Sequence, residues 1–161
     1  MVFQQDQWER AVHNGTLFGT GNTKVCAKDV ETVLSIVQVA GIPLHFQFVI
    51  YSNTPGILKV YEDVEFTGGT PIHILNFNRV AKRDTTVINS ENPTTVTSKT
   101  MMLGMTVFEI AMVSPINREY PVELVLAPNT NYMWTFTPEK DGRTAYYLRF
   151  IENSNLVEHG G

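Results

Sequence analysis

Residues 43–51 read PLHFQFVIY, and their apolar positions fall at every second place: Leu44, Phe46, Phe48 and Ile50 on one face, His45, Gln47, Val49 and Tyr51 on the other. A period of two is the mark of a half-buried β-strand. Upstream, VETVLSIVQV (30–39) is dense in β-branched residues and also reads as a strand. Downstream, the turn SNTPG precedes ILKVYEDVEF (57–66), where Leu58, Val60 and Glu62 oppose Ile57, Lys59 and Tyr61. The pattern predicts a turn at TGGTP (67–71) and a further strand over PIHILNFN (71–78).

From Arg79 to Lys99 the chain is polar and threonine-rich, which predicts one or two short strands around a turn at NSENP (89–93). The methionine-rich TMMLGM (100–105) leads into a strand over TVFEIAMV (106–113). The last third predicts a β-meander: PVELVLA, the turn PNTN, YMWTFT, the turn EKDG, and TAYYLRFIE. Helical patterning is confined to QDQWERAV (5–12), which stops at Asn14-Gly15. It predicts a short N-terminal arm, with Phe3 and Trp8 packing on this domain or on a neighbour. About seven to nine strands at these spacings define an all-β protein, an antiparallel β-sandwich. Connectivity is not encoded locally, so jelly-roll and immunoglobulin-like orders both stay open. The expected organisation is an arm over residues 1–14, one sandwich domain over 15–157 and a flexible tail over 158–161.

Composition agrees with one ordinary domain. Of 161 residues 43% are hydrophobic and 17% charged, so a core is affordable without a disulfide or structural metal. A net charge of -4 argues against general nucleic-acid binding, which needs a concentrated basic face. Arg79, Lys82 and Arg83 in NRVAKR are the nearest approach to one and read as a solvated loop or a partner contact. The single cysteine, Cys26, excludes an intrachain disulfide and paired-thiolate metal sites. No run approaches the roughly 20 apolar residues of a membrane span, and the N-terminus lacks the pattern of a secretory signal. Neither a membrane nor nucleic acid is therefore an expected partner.

Candidate chemistry is sparse. Of four histidines only His45 and His73 fall on predicted strands, and neither has a second ligand at metal spacing. There is no Gly-x-Ser-x-Gly elbow, and GTGN (19–22) lacks the remaining elements of a dinucleotide or phosphate loop. Glu62, Asp63 and Glu65 read as solvated strand-end charges rather than a glycosidase pair. The reading is therefore of a non-enzyme without a cofactor. Tyr132, Trp134 and Phe136 share one face of a strand and could stack on sugars, but such stripes are usually core.

Taken in order, HNGTLF, PLHFQFVI with its strand histidine, ILKVYEDVEFTGGTPIHILNFNR, LVLAPNTNYMWTF and the aromatic YYLRFIE give the chain a resemblance. Over nearly all of residues 13–152 it resembles small tailed-bacteriophage virion proteins that decorate or cement the capsid. The resemblance implies a β-sandwich, commonly trimeric, that is made in the host cytoplasm and sits on the capsid exterior. There it would staple major capsid protein subunits together. It implies no catalytic residue, metal or cofactor. Phe3, Trp8 and Phe18 would then be aromatic interface anchors, with Arg79, Lys82 and Arg83 as further contacts. The alternative is a carbohydrate-binding attachment module of a phage head fibre or tail, suggested by the terminal aromatics and the Asn/Thr-rich loops.

Overall fold

The computed structural model describes residues 2–81, 83–107 and 120–152. It is an antiparallel, all-β assembly of two sheets with one helix. Among the described residues the helix α1 (Val2–Asn14) is followed by nine strands: β1 (Leu17–Cys26), β2 (Thr32–Gln38), β3 (Leu44–Ser52), β4 (Gly56–Ile72), β5 (Leu75–Asn76), β6 (Ile88–Val107), β7 (Tyr120–Leu126), β8 (Asn131–Pro138) and β9 (Gly142–Ile151).

Odd-numbered strands form a five-stranded sheet in the order β5-β1-β9-β3-β7, and even-numbered strands form the other, β2-β6-β4-β8. Consecutive strands therefore always change sheet. The second sheet curls until its ends meet, since Ile36–Gln38 of β2 pair with β8 on one side and with Ile88–Ser90 of β6 on the other.

The core lies between the sheets. The face of β3 that alternation assigned inward (Leu44, Phe46, Phe48, Ile50) is fully buried. Its two phenylalanines meet Trp134 of β8 at ring-centroid distances of 5.0 and 5.2 Å. Phe48 also stacks on Tyr146 of β9 at 5.2 Å, and Phe18 of β1 on Phe150 at 5.6 Å. Curling of the even-numbered sheet creates a second, smaller apolar cluster of Ile36, Tyr61, Val64 and Met133, joined by Val33, Phe66 and Val96.

Several predicted boundaries are corrected. The last third is not a meander, because β7 pairs with β3, β8 with β2 and β4, and β9 with β1 and β3. The PNTN turn is an arch between sheets. Asn129 takes a positive φ of 55° there and donates its backbone N–H to the Ala40 carbonyl at 2.7 Å, while Tyr132 Oη accepts the Ala127 N–H at 2.9 Å. TGGTP and NSENP are not turns either. They lie inside β4 and β6 and face each other, with Gly68 opposite Pro93 and Thr70 opposite Glu91. Register shifts absorb the irregularity. A Cβ on Gly68, whose φ is +71°, would fall 2.1 Å from Thr94 Oγ1, so only glycine fits the bulge. PIHILNFN splits, its start ending β4 and Leu75–Asn76 alone forming β5. Of the strand expected over residues 106–113, Thr106 and Val107 close β6 and the rest lies outside the described residues.

Candidate functional site

Three buried or semi-buried polar groupings among the described residues each tie separate segments together. Ser35 Oγ donates to Asn89 Oδ1, whose amide reaches Tyr146 Oη at 3.5 Å. The buried Glu152 carboxylate accepts Thr85 Oγ1 at 2.5 Å, Thr86 Oγ1 at 3.1 Å and the Thr86 N–H at 3.2 Å, which pins residues 85–86 to the end of β9. Glu31 accepts Tyr61 Oη at 3.0 Å and faces Lys59 and Lys99 at 3.6 and 3.4 Å, while Lys99 lies 4.5 Å over the Tyr61 ring. Burial, with the Glu31 hydrogen bond and charge added, holds the Tyr61 phenol above its ordinary range. Among the described residues no three His, Cys, Asp or Glu side chains converge as metal ligands. No described helix is long and apolar enough to cross a membrane.

The candidate interface residues scatter. Trp8 is 7% exposed and packs with Ala11, Leu17 and Ile151. Arg149 sits 4.1 Å over its indole and His45 meets it edge-on at 5.1 Å. Of the two placements expected for Trp8, on this domain or on a neighbour, the fold takes the first. Phe18, 1% exposed, belongs to the core between the sheets, so it offers no surface to a partner in this fold. The reason is register: Phe18 pairs with Phe150 across β1 and β9, and both rings point inward. Arg79 and Arg83 are exposed. The turn at Arg79 is shaped by Asn78, whose Oδ1 accepts the Val80 and Ala81 N–H groups at 3.1 Å and whose amide donates to the His13 carbonyl at 3.0 Å. The Phe3 side chain and Lys82 lie outside the described residues.

The stripe Tyr132, Trp134 and Phe136 is core, with Trp134 at 0% exposure, so it cannot stack on a sugar. His45 pairs with Glu123, its Nε2 lying 2.7 Å from Glu123 Oε1.

Two surfaces stand out instead. The first is the free edge of β6. Past Ser90, no described strand pairs with the side of β6 that faces away from β4. That edge includes Met101, Met102 and Leu103, exposed at 59, 41 and 38%. Thr100 to Val107 carries no charge and no proline, two of the devices by which proteins blunt an open edge, and a single bulge opposite Val60 and Tyr61. The second is a cleft of about 470 Å³ on the five-stranded sheet, where Phe77 and Tyr147 are exposed beside Gly19. Neither surface was assigned a role from sequence. TMMLGM was visible only as a methionine-rich stretch, and the cleft unites residues from three separate segments.

Compared with family models, with curated protein sequences and with solved structures, the chain matches none of them.

Proposed function

We propose that this chain is a structural virion protein that decorates and stabilises a bacteriophage capsid by binding major capsid protein subunits from outside, as a homotrimer. The observation that carries the proposal is the β6 edge, which no described strand covers past Ser90. The neutral, apolar stretch 100–107, whose outer edge pairs with no described strand, suits recognition of another polypeptide backbone, and exposed methionines adapt to the surface they meet. Stapling needs area and shape complementarity rather than a reactive group.

The strand order supports the same reading. Four strands β1-β9-β3-β7 facing β2-β8-β4-β6, with every connection crossing between sheets, is the order of a jelly roll, an architecture used by viral capsid proteins. In a lattice, many weak copies of one contact sum to a large stabilisation.

The test is binding of the purified protein to expanded heads that lack it, with sedimentation to give its own oligomeric state. The expected outcome is a trimer that saturates the heads. Replacing Met101 and Leu103 with Lys should abolish either the trimer or the attachment. A protein that stays monomeric at high concentration and ignores the heads would sink the proposal.

A further inference from the structure

The geometry points to a binding site for a neutral hexopyranose in the cleft on the five-stranded sheet, a site separate from the β6 edge and independent of the capsid proposal. Its construction begins with a missing side chain. Phe77 packs on Gly19 so closely that a Cβ there would lie 2.6 Å from Phe77 Cε2. The glycine seats the ring on the sheet and leaves its other face to solvent, at 44% exposure.

The segment bearing Phe77 is held at both ends. Thr20 Oγ1 donates to the His73 carbonyl at 2.8 Å, and the Phe77 N–H donates to the Leu17 carbonyl at 3.0 Å. Across the cleft, Tyr147 stands opposite Gly21 in register and is 36% exposed. Its ring is braced by Tyr51 at 6.2 Å. Two aromatic rings are thus fixed before any ligand arrives, so little side-chain entropy is lost when one binds.

The rim decides which ligand fits. An apolar side chain from a protein partner would need the rings alone. Here His73, exposed at the cleft, makes no side-chain hydrogen bond among the described residues. Arg149 is oriented by donation from Nε to Gln47 Oε1 at 2.7 Å and by the Trp8 ring, and its Nη groups carry no hydrogen bond among the described residues. Among the described residues no carboxylate lines the cleft, and the Arg149 guanidinium beside the rings opposes a cation there. Apolar ring faces with a few polar groups around them match a pyranose, whose C–H face stacks while its hydroxyls reach the rim. The volume is within the roughly 300–1,000 Å³ of small-molecule sites.

The test is an NMR titration of the full chain with lactose, maltose, cellobiose and N,N′-diacetylchitobiose, reading amide shifts in the protein and saturation transfer to the sugar. At least one disaccharide should bind with a Kd on the order of millimolar and move the Gly19, Gly21 and Phe77 amides. Tyr147→Ala and Phe77→Ala should each weaken binding about tenfold, and His73→Ala by less. If Phe77→Ala loosens its segment, Tyr147→Ala decides, because Tyr147 lies on β9 and does not hold the Phe77 segment, and thermal unfolding of the variant is measured alongside. Absence of saturation transfer from all four sugars would overturn the site, as would binding indifferent to both aromatic variants. Equally, a blocked leucine amide that shifts these amides when no sugar does would assign the cleft to a protein side chain. Head binding by the same variants should be normal, so failure here is distinguishable from failure of the capsid proposal.

Discussion

YMWTF in β8 and MMLGM in β6 are similarly apolar, yet the fold treats them in opposite ways. β8 has a strand on each side, β2 and β4, and between the sheets its Tyr132, Trp134 and Phe136 are buried. Even its outward-facing Met133 is covered, because the sheet curls and brings Val64 and Ile36 over it. Among the described residues the second half of β6 has a strand on one side only, and three consecutive apolar residues there are exposed. Hydrophobic content is therefore not what buries a strand in this molecule. Position in the sheet is, and a strand with core-like composition at an edge is an interface awaiting cover.

The comparison breaks most sharply at Trp134. Its ring fills the space between Phe46 and Phe48, so Trp134→Ala should cost about 3–5 kcal/mol, read from urea unfolding. Its Nε1 has no hydrogen-bond partner among the described residues, so Trp134→Phe removes volume without orphaning a partner and should cost clearly less. A small loss for the alanine variant would mean that β8 is not the centre of the core.

A smaller effect is expected where the helix meets the sheet. Trp8→Ala removes the main apolar contact of α1 with Leu17 and Ile151 and should cost about 2 kcal/mol. The core between the sheets should stay intact. Removing residues 1–14 tests the same contact: loss of the strand signal in circular dichroism would show that the helix belongs to the folding unit.

Alkaline titration probes the core from another direction. Burial raises the phenols of Tyr132 and Tyr146 above their ordinary value, with the nearby carboxylates Glu62 and Asp63, and Glu91, adding to the shift. The folded state therefore favours the neutral phenol. Below the unfolded pKa near 10 this contribution is complete, and it is lost as pH rises through the higher folded values. Stability should fall above about pH 10, and Tyr146→Phe should make that fall shallower. An unchanged alkaline profile in the variant would place the sensitive group elsewhere.

Much of the strand content was legible because alternation reports burial directly, as in β3, where all four inward positions are buried. The connections were not. Pro128, Asn129 and Asn131 identify a change of direction in sequence, but the same residues serve a hairpin or an arch. The deciding hydrogen bonds, from Asn129 to Ala40 and from Val39 to Thr130, reach a distant segment. The glycines of TGGTP likewise read as a turn because a bulge and a turn both need positive φ. Trp8 reads from sequence as an aromatic within a short helix, but its stacking on Arg149 depends on a contact across nearly the whole chain. The cleft had a faint local signal in Gly19-x-Gly21, which strips two like-facing positions of a strand, though nothing nearby in sequence pointed to Phe77 or Tyr147.

The smallest effect on stability is the most informative about function. Met101→Lys and Leu103→Lys add charge to the stretch 100–107 of that edge, which lacks it, and exposed positions of this kind change folding stability by within about 0.5 kcal/mol. If the edge only faced water, nothing else would change. If it is covered by another polypeptide, the same charges must be desolvated or the pairing given up, so association should fall while the urea midpoint stays put. Trp134→Ala should show the reverse, a large loss of stability with the edge unaltered in whatever protein remains folded. Measuring both variants for unfolding and for sedimentation separates the two strands: a Lys variant that destabilises as much as the tryptophan variant would mean that the β6 edge is covered within the chain itself.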